Sequence, residues 1–263
     1  GRTGECGGIS RIQRIQLHDG ANHKFHRRQV DALVILLIST NPRRVKHVDG
    51  ECLIADKDES VLTLTLNRPA RLNATNRQLL EAILLALHAV QHDATVRSLL
   101  IRGAGSAFCA GDDIKEMSDF NAESDEEVIE GLRRYQHGII NALRSLGIPT
   151  IAVIQGYALG FGMDLALACD LRIAARDALL GDGRSVRAFP VSTGATYLLP
   201  QAIGVSRALE ILLTGKRVDG VEAERIGLVH RVAPLEELDD VGREIAHQLA
   251  QGPTKRLGLI KQQ

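Results

Sequence analysis

No apolar run in this sequence is long enough to cross a membrane. The longest, ALVILLIS at 32–39, has eight residues, whereas a membrane-spanning helix needs about 20. The chain shows no secretory signal peptide with a cleavage site, although it does not begin with methionine and its true start could lie further upstream. We therefore predict no membrane association and a cytoplasmic location, or a mitochondrial or peroxisomal one if the source is eukaryotic.

Cysteine is equally sparse, and its spacing bears on the kinds of site that the chain can build. The four cysteines at positions 6, 52, 109 and 169 are scattered, with no CxxC pair. This spacing is typical of reduced thiols in an intracellular protein and does not suit a zinc site. We therefore predict no metal ion.

Net charge is also absent, because 32 Lys and Arg balance 32 Asp and Glu. The balance is uneven: residues 1–50 hold nine basic and four acidic residues, together with several His and Gly and little periodicity. The positive surplus is scattered, which is typical of a solvated surface rather than a nucleic-acid interface. We predict a poorly ordered N-terminal extension over 1–50 that binds no nucleic acid, followed by one domain over 51–263.

From residue 61 onward the pattern of apolar residues becomes regular. Alternating or short β-rich runs predict strands, and apolar residues at helical spacing predict helices between them. The predicted strands cover 61–67, 98–103, 150–157, 170–175 and 228–233, and the predicted helices cover 77–90, 124–146, 206–213, 219–226 and 236–250. Strands that alternate with helices imply right-handed βαβ units in a layered α/β domain.

Two glycine turns carry the first chemical signal. FCAGDDIKEM (108–117) puts Ala-Gly before Asp112, and GYALGFGMDLALACD (156–170) puts Gly-Phe-Gly before a helix predicted at 163–168. Each turn can leave one backbone N–H free, that of Asp112 and that of Phe161. Two such donors aimed at one point would polarise a carbonyl group and hold an oxyanion. Ordinary turns between a strand and a helix explain the same glycines, so both interpretations stand at this stage.

Four ordered motifs resemble the crotonase superfamily, which is the enoyl-CoA hydratase/isomerase fold. They are LNRPARLNATN (66–76), FCAGDDIKEM (108–117), PTIAVIQGYALGFGMDLALACDLRIAA (149–175) and LPQAIGVSRALEILLTGKRVDGVEAERIGLVHRV (199–232), and the resemblance covers about residues 52–263. It implies a spiral of ββα units followed by a helical C-terminal region, here cut short. It also implies that the N–H groups of Asp112 and Phe161 form an oxyanion hole, and that subunits assemble as a homotrimer or a dimer of trimers.

The resemblance also implies where the substrate, an acyl-CoA thioester, would lie. The CoA moiety would follow residues 68–74, beginning with Arg68, and the loop from Ala110 to Ile114. We expect Arg71 to meet a phosphate group, because a guanidinium suits that geometry. Coenzyme A would enter as part of the substrate, and no separate cofactor is implied.

Asp164 stands where family hydratases carry the first of two acid/base glutamates. A carboxylate beside a thioester enolate can move the α-proton or orient a water, whereas a structural acid stabilised by a helix dipole is the alternative. The second glutamate would fall at position 184, where this chain has Arg184. Asp182 could substitute for it, and Arg184 could pair with Asp164 or bind a carboxylate on the acyl group.

Two further side chains are candidates for the acyl pocket. Ser192 falls where family dehalogenases carry a nucleophilic aspartate, although a helix N-cap is the more ordinary explanation for a serine there. His137 has the spacing of an active-site histidine in those enzymes, on a helix that would cover the pocket. A lone histidine on a helix is otherwise a surface or core residue.

Together these features predict an acyl-CoA-processing enzyme of fatty acid metabolism, a lyase or an isomerase, that stabilises a thioester enolate in a backbone oxyanion hole. Because Arg184 replaces the second glutamate, we expect a divergent hydratase or lyase. One alternative is a decarboxylase of a malonyl-type CoA thioester, with Arg184 on the carboxylate. Another is a non-catalytic relative that keeps CoA binding, or a protein that interacts through its basic N-terminal segment.

Overall fold

The computed structural model describes residues 52–117 and 124–261, so the predicted extension over 1–50 lies outside the described residues. The strands are β1 (Leu53–Asp58), β2 (Val61–Leu66), β3 (Ser98–Gly103), β4 (Thr150–Ile154), β5 (Tyr157–Leu159), β6 (Leu171–Ala175), β7 (Leu179–Gly181), β8 (Arg217–Asp219) and β9 (Arg231–Ala233). The helices are α1 (Arg77–His92), α2 (Ile114–Met117), α3 (Asp125–Gly131), a π-helical segment (Leu132–His137), α4 (Gly138–Ser145), α5 (Phe161–Ala168), α6 (Ala195–Ile203), α7 (Val205–Thr214), α8 (Gly220–Arg225), α9 (Leu238–Gln251) and α10 (Thr254–Lys261). Short 3-10 turns lie at Pro69–Arg71 and Ser185–Arg187.

In the described part of the chain, the strands form two sheets. The larger sheet has six strands in the order β1-β2-β3-β4-β6-β9, and the smaller has three in the order β5-β7-β8. Neighbouring strands from β2 to β9 run parallel, whereas β1 pairs with β2 in the antiparallel direction. Parallel strands are usually covered on both faces, which explains why β3 and β4 read as nearly continuous apolar runs. The predicted α/β class is confirmed.

Helix α5 lies at the centre of the molecule and is buried along its whole length. It packs against α4, α6 and β5, while α9 packs against β3 and β4 of the larger sheet. A helix that is apolar on all sides is stable only when it is enclosed in this way. Because Asp164 belongs to this helix, the fold carries a carboxylate into the protein interior.

The predicted single strand over 150–157 is wrong. The chain leaves the larger sheet after Ile154 and joins the smaller one at Tyr157. Gly156 has φ +58°, a conformation that a strand does not use and that glycine adopts without strain. The amide of Gln155 holds the break by donating to the carbonyl oxygen of Gly103 at 2.7 Å.

Among the residues that the structure describes, no helix has the length and apolar character needed to span a membrane.

Candidate active site

Two glycine turns touch each other at the N terminus of helix α5. Gly111 has φ +100° and Gly160 has φ +53°, both in the region that favours glycine. A Cβ built on Gly160 would lie 3.9 Å from the Cα of Gly111, and one built on Gly111 would lie 2.9 Å from the carbonyl oxygen of Leu159. The two turns that the sequence presents 49 positions apart are therefore brought into direct contact.

Backbone hydrogen bonds fix this contact. The N–H of Leu159 donates to the carbonyl of Cys109 at 3.0 Å, and the N–H of Thr75 donates to the carbonyl of Gly111 at 2.7 Å. Gly162 lets helix α5 come close to the same segment, because a Cβ there would lie only 2.3 Å from the Cys109 carbonyl oxygen. Helix α5 consequently begins directly against residues 109–111.

The N–H groups of Asp112 and Phe161 are both unbonded. Within the described residues, neither donates a hydrogen bond to a backbone or side-chain acceptor. Phe161 is the first residue of α5, where a helix offers no internal partner to its amides. Its ring is fully buried and contributes to packing. Two free donors on touching turns meet one requirement of an oxyanion hole. That both N–H groups point at a single acceptor, and that a thioester binds there, stay predictions.

Asp164 lies three residues beyond Phe161 and is fully buried, at 0% exposure. Its Oδ2 accepts a hydrogen bond from the hydroxyl of Thr193 and lies 2.8 Å from Nη2 of Arg184. Its Oδ1 is buried and has no hydrogen-bond partner in the described part of the chain. Because an unpaired buried carboxylate oxygen costs free energy, this atom calls for a functional explanation.

Arg184 joins Asp164 to a second fully buried carboxylate, Asp182. The Nε of Arg184 lies 3.0 Å from each oxygen of Asp182, and its Nη2 lies 2.5 Å from Oδ2 of the same residue. Its Nη1 donates to the hydroxyl of Thr193 at 2.6 Å. Of the alternatives for Arg184, pairing with Asp164 is therefore the one observed. Asp182, suggested as a substitute for the missing glutamate, is bound to the guanidinium instead.

The surroundings bring the titration of Asp164 close to neutral pH. Burial raises the pKa of Asp164 to about 6, opposed by the charge of Arg184 and the hydrogen bond from Thr193, while the charge of Asp182 raises it further. For Arg184, burial lowers the pKa, but the hydrogen bonds and charges of Asp182 and Asp164 outweigh burial and raise it overall. A carboxyl group that titrates near the working pH beside a permanent cation suits acid–base chemistry.

The side chain of Asp112 belongs to the same cluster, although sequence reasoning gave only its N–H a role. Its Oδ1 accepts hydrogen bonds from Thr75 Oγ1 at 3.1 Å and from Gln136 Nε2 at 2.7 Å. Burial raises the pKa of Asp112, against the hydrogen bond from Thr75 and the charge of Arg184. Gln136 comes from the π-helical segment, a geometry that often marks functional sites. Sequence reasoning missed both Thr75 and Gln136.

His137 lies at the edge of this cluster. Its Nε2 is 2.6 Å from the carbonyl oxygen of Ser192, so the imidazole contacts backbone beside Thr193. The interpretation of Ser192 as a helix N-cap is wrong, because α6 is preceded by Gly194 without a side-chain cap and Ser192 is exposed. Thr193 is the buried hydroxyl that reaches Asp164. The motif PVSTGAT places two hydroxyl residues side by side and does not indicate which one faces inward.

The two arginines predicted beside CoA differ in their surroundings. Arg68 is half-buried, with Nη2 3.0 Å from Oδ2 of Asp113, and it also donates to the carbonyl of Ala74. Arg71 ends the 3-10 turn and is exposed. Arg68 thus holds the loop together, whereas contact between Arg71 and a phosphate group stays a prediction.

The two predicted CoA segments lie side by side. The N–H of Ala110 donates to the carbonyl of Leu72 at 3.0 Å, which joins 68–74 to the loop at 110–114. Ile114 is 59% exposed at the start of α2. No group of three or more His, Cys, Asp or Glu side chains suited to a metal ion occurs among the described residues.

The chain matches known proteins over the region that holds this site. The family model described as enoyl-CoA hydratase/isomerase matches residues 56–263. The 1,2-epoxyphenylacetyl-CoA isomerase of Escherichia coli (strain K12) is 35% identical over 212 residues, which cover 81% of each chain. The crystal structure of an enoyl-CoA hydratase from Bacillus anthracis has a TM-score of 0.76 at 35% identity, covering 81% of each chain. A monofunctional enoyl CoA isomerase from M. smegmatis has a TM-score of 0.68 at 36% identity, covering 80% of this chain and 90% of the other.

Proposed function

This chain belongs to the enoyl-CoA hydratase/isomerase family, an enzyme family whose members process acyl-CoA, and we propose that it acts on an acyl-CoA thioester by way of an enolate. The enolate oxygen would accept hydrogen bonds from the N–H groups of Asp112 and Phe161. Asp164 would move the proton at the adjacent carbon. One observation carries the proposal: Asp164 is buried beside the two free amides, with one oxygen held and the other without a partner.

The position of the proposed oxyanion hole at the start of α5 would strengthen its binding of an anion. The partial positive charge of a helix N terminus favours an anion at Phe161. A preorganised donor aimed at developing charge contributes on the order of 3–4 kcal/mol to the lowering of a barrier. Both donors belong to the backbone, so the phenyl ring in place of a smaller side chain does not alter the donation.

We propose a hydratase or lyase reaction that uses Asp164 in both of its proton transfers. In the hydration direction, a water oxygen bonds to C3 of an enoyl thioester while the Asp164 carboxylate takes one of its protons. The displaced electron pair moves to the thioester oxygen, which the two amides stabilise. The Asp164 O–H bond then breaks and its proton passes to C2, which completes the addition of water. Arg184 supports the ionised form of Asp164 with which the cycle starts.

The alternative as a malonyl-type decarboxylase is less well supported by the geometry. That reaction needs Arg184 to receive a carboxylate from the substrate. Asp164 and Asp182 already bind the guanidinium, so the three groups together carry a net negative charge when both acids are ionised. A third carboxylate would be repelled there.

We also propose that subunits associate through helix α7. Val205, Leu209 and Leu213 recur at four-residue spacing and are 63%, 48% and 68% exposed. This spacing aligns them on one side of the helix, and an aligned row of exposed apolar side chains is typical of an interaction surface. A second copy of the chain is the expected partner, consistent with the predicted homotrimer or dimer of trimers. Light scattering should give a multimer for the parent and a smaller mass for Leu209→Glu.

The decisive experiment incubates the protein with crotonyl-CoA in D₂O and follows the product by NMR. We expect a hydroxyl group at C3 and deuterium at C2. Asp164→Asn should lower turnover by about a hundredfold or more, because the amide cannot exchange a proton. Asp177→Asn, the same change at an exposed residue, should leave it unaltered. Binding of crotonyl-CoA without turnover, or release of carbon dioxide from malonyl-CoA, would contradict the proposal.

A further inference from the structure

The reaction proposed above uses only the backbone of Asp112, yet the carboxyl group of this residue lies in the same cluster. Resting on that proposed function, we infer that the Asp112 carboxyl group is the second acid–base group of the site: it takes over the proton transfer to C2 and leaves to Asp164 the transfer from water. It takes the part that the missing glutamate would play, from a different position in the chain.

The position of Asp112 puts its carboxyl group beside the reacting atoms. Its N–H is one of the two free donors, and three covalent bonds connect that nitrogen to the carboxyl carbon. A thioester oxygen bound to the N–H therefore lies close to the carboxyl group of the same residue.

The carboxyl group is held by one oxygen and open at the other. Thr75 and Gln136 both donate to Oδ1. Oδ2 forms no hydrogen bond within the described residues, and it is not enclosed, unlike the buried Oδ1 of Asp164. Asp112 itself is partly exposed, whereas Asp164 and Asp182 are at 0% exposure. Among these three acids, Asp112 is therefore the most exposed to solvent.

The charges around Asp112 favour retention of a proton in the cluster. Arg184 and Asp182 act on it electrostatically, and the thiol of Cys109, whose pKa burial raises to about 12, stays neutral. The Nε of Arg184 and the Cα of Gly111 each lie 3.9 Å from a Cβ built on Gly160, so the guanidinium lies next to the turn that carries Asp112. The charge of Asp182 adds to the effect of burial and raises the pKa of Asp112, against the charge of Arg184.

The shared reaction balances with water as the only co-reactant. The water oxygen bonds to C3 and Asp164 takes its proton. The O–H bond of Asp112 breaks and that proton bonds to C2 of the enolate. Asp164 then holds one proton more and Asp112 one fewer. Loss of a proton from Asp164 and uptake of one at Oδ2 of Asp112 restore the starting state.

The substitution Asp112→Asn distinguishes the role of the carboxyl group from that of the backbone N–H. It keeps the N–H donor and an Oδ1 that can accept from Thr75 and Gln136, and it removes only the titrating group. We expect kcat for crotonyl-CoA hydration to fall by about a hundredfold, with KM within about threefold. Exchange of the C2 protons of butyryl-CoA with D₂O should slow by a similar factor. Asp177→Asn is the matched control, and melting curves should agree among the variants.

A second variant keeps the test decisive if Asp112→Asn folds poorly. Gln136→Met removes the amide that donates to the carboxylate, which raises the pKa of Asp112 and should move the alkaline limb of the pH–rate profile to higher pH. An unmoved limb would overturn the inference. The inference would also be overturned if Asp112→Asn kept a kcat within about threefold of that of the parent while Asp164→Asn was inactive. That result would leave the proposed function intact. Full activity in Asp164→Asn would instead reject the proposed function.

Discussion

Arg184 forms a buried ion pair with Asp164, with 2.8 Å between Nη2 and Oδ2. Arg184 follows strand β7 of the smaller sheet and Asp164 lies in the central helix α5, so the pair joins two separate parts of the fold. Asp182 binds the same guanidinium, and its Oδ2 lies 2.5 Å from the same Nη2 atom. Arg184 therefore supplies a buried positive charge that opposes the effect of burial on the pKa of Asp164.

Replacement of Asp164 by Asn should remove activity and yet increase stability at neutral pH. Burial raises the pKa of Asp164 from the usual 3.8 to about 6, so the folded state binds this proton more tightly than the unfolded state does. The parent therefore loses stability as the pH rises from 3.8 to about 6, by about 1.4 kcal/mol per pH unit, or on the order of 3 kcal/mol in all. The Asp164→Asn variant has no carboxyl group at this position, so its stability should not fall in this way as the pH rises.

Chemical denaturation of both proteins across that pH range checks the expectation. The difference in unfolding free energy, Asn variant minus parent, should grow with pH and become constant above about pH 7. Asp177→Asn, at an exposed position, should show no such trend. A variant that is less stable than the parent at every pH would identify Asp164 as a structural acid of the helix N terminus.

The sequence pattern predicted the elements whose character is local. Helices α1, α7 and α9 were predicted within two residues because each carries an apolar stripe at helical spacing. Strands β5, β7 and β8 have three residues each, too few for alternation to show, and none was predicted as a strand of its own. Helix α6 was missed as well, since it contains Pro200 and follows a glycine-rich turn.

The residues of the candidate site also fall into those with a local sequence pattern and those without one. The glycine turns and Asp164 were singled out from short motifs, because each depends on neighbouring residues, and their catalytic roles stay predictions. Thr193 and Gln136 were missed, because their partners lie 29 and 24 positions away in the chain. A hydroxyl or an amide that becomes important only through such a long-range contact has no local pattern, and only the folded chain reveals it.

Thr193 should prove to be a positioning residue for Asp164. Its hydroxyl donates to Oδ2 of Asp164 and accepts from Nη1 of Arg184 at 2.6 Å. Thr193→Val keeps the shape and removes that donor, so the pKa of Asp164 should rise and the acid limb of the pH–rate profile should move to higher pH. Thr193→Ser retains the hydroxyl and should restore the profile of the parent. Equal profiles for the valine and serine variants would refute this role.

A test of the oxyanion hole uses two glycines that share an unusual backbone conformation. Gly111 and Gly204 have φ +100° and +80°, so alanine is strained at both. A Cβ on Gly111 would also lie 2.9 Å from the carbonyl oxygen of Leu159, whereas one on Gly204 would meet nothing within 4 Å. Gly111→Ala should therefore displace the N–H of Asp112 and lower kcat by about a hundredfold. Gly204→Ala controls for strain alone and should keep its activity.

Steady-state kinetics with crotonyl-CoA and thermal melting of both variants give the comparison. Gly111→Ala should lose more stability than Gly204→Ala, because of the added contact with Leu159, and only Gly111→Ala should lose turnover beyond what its loss of stability explains. If both variants lose activity in proportion to their stability, the turn at Gly111 has no special part in the reaction.

The positive charge of Arg184 should keep the pKa of Asp164 from rising further. Arg184→Met keeps much of the side-chain volume and removes the charge that opposes the effect of burial on Asp164. The pKa of Asp164 should then rise above about 6, and the acid limb of the pH–rate profile should follow it upward, because the ionised carboxylate takes the proton of water. Arg184→Lys, which keeps a positive charge, should lie between Arg184→Met and the parent.

Stability provides an independent measurement on the same variants. Arg184→Met leaves the buried Asp164 and Asp182 without their cation, and removal of one partner from a buried ion pair costs about 3–5 kcal/mol. The cost should shrink as the pH falls, since Asp164 can then become neutral. Arg184→Glu would instead add a third carboxylate to the two already present, so we expect it to fold poorly rather than to gain hydratase activity. An Arg184→Met protein with an unmoved acid limb and parental stability would show that the ion pair does not control Asp164.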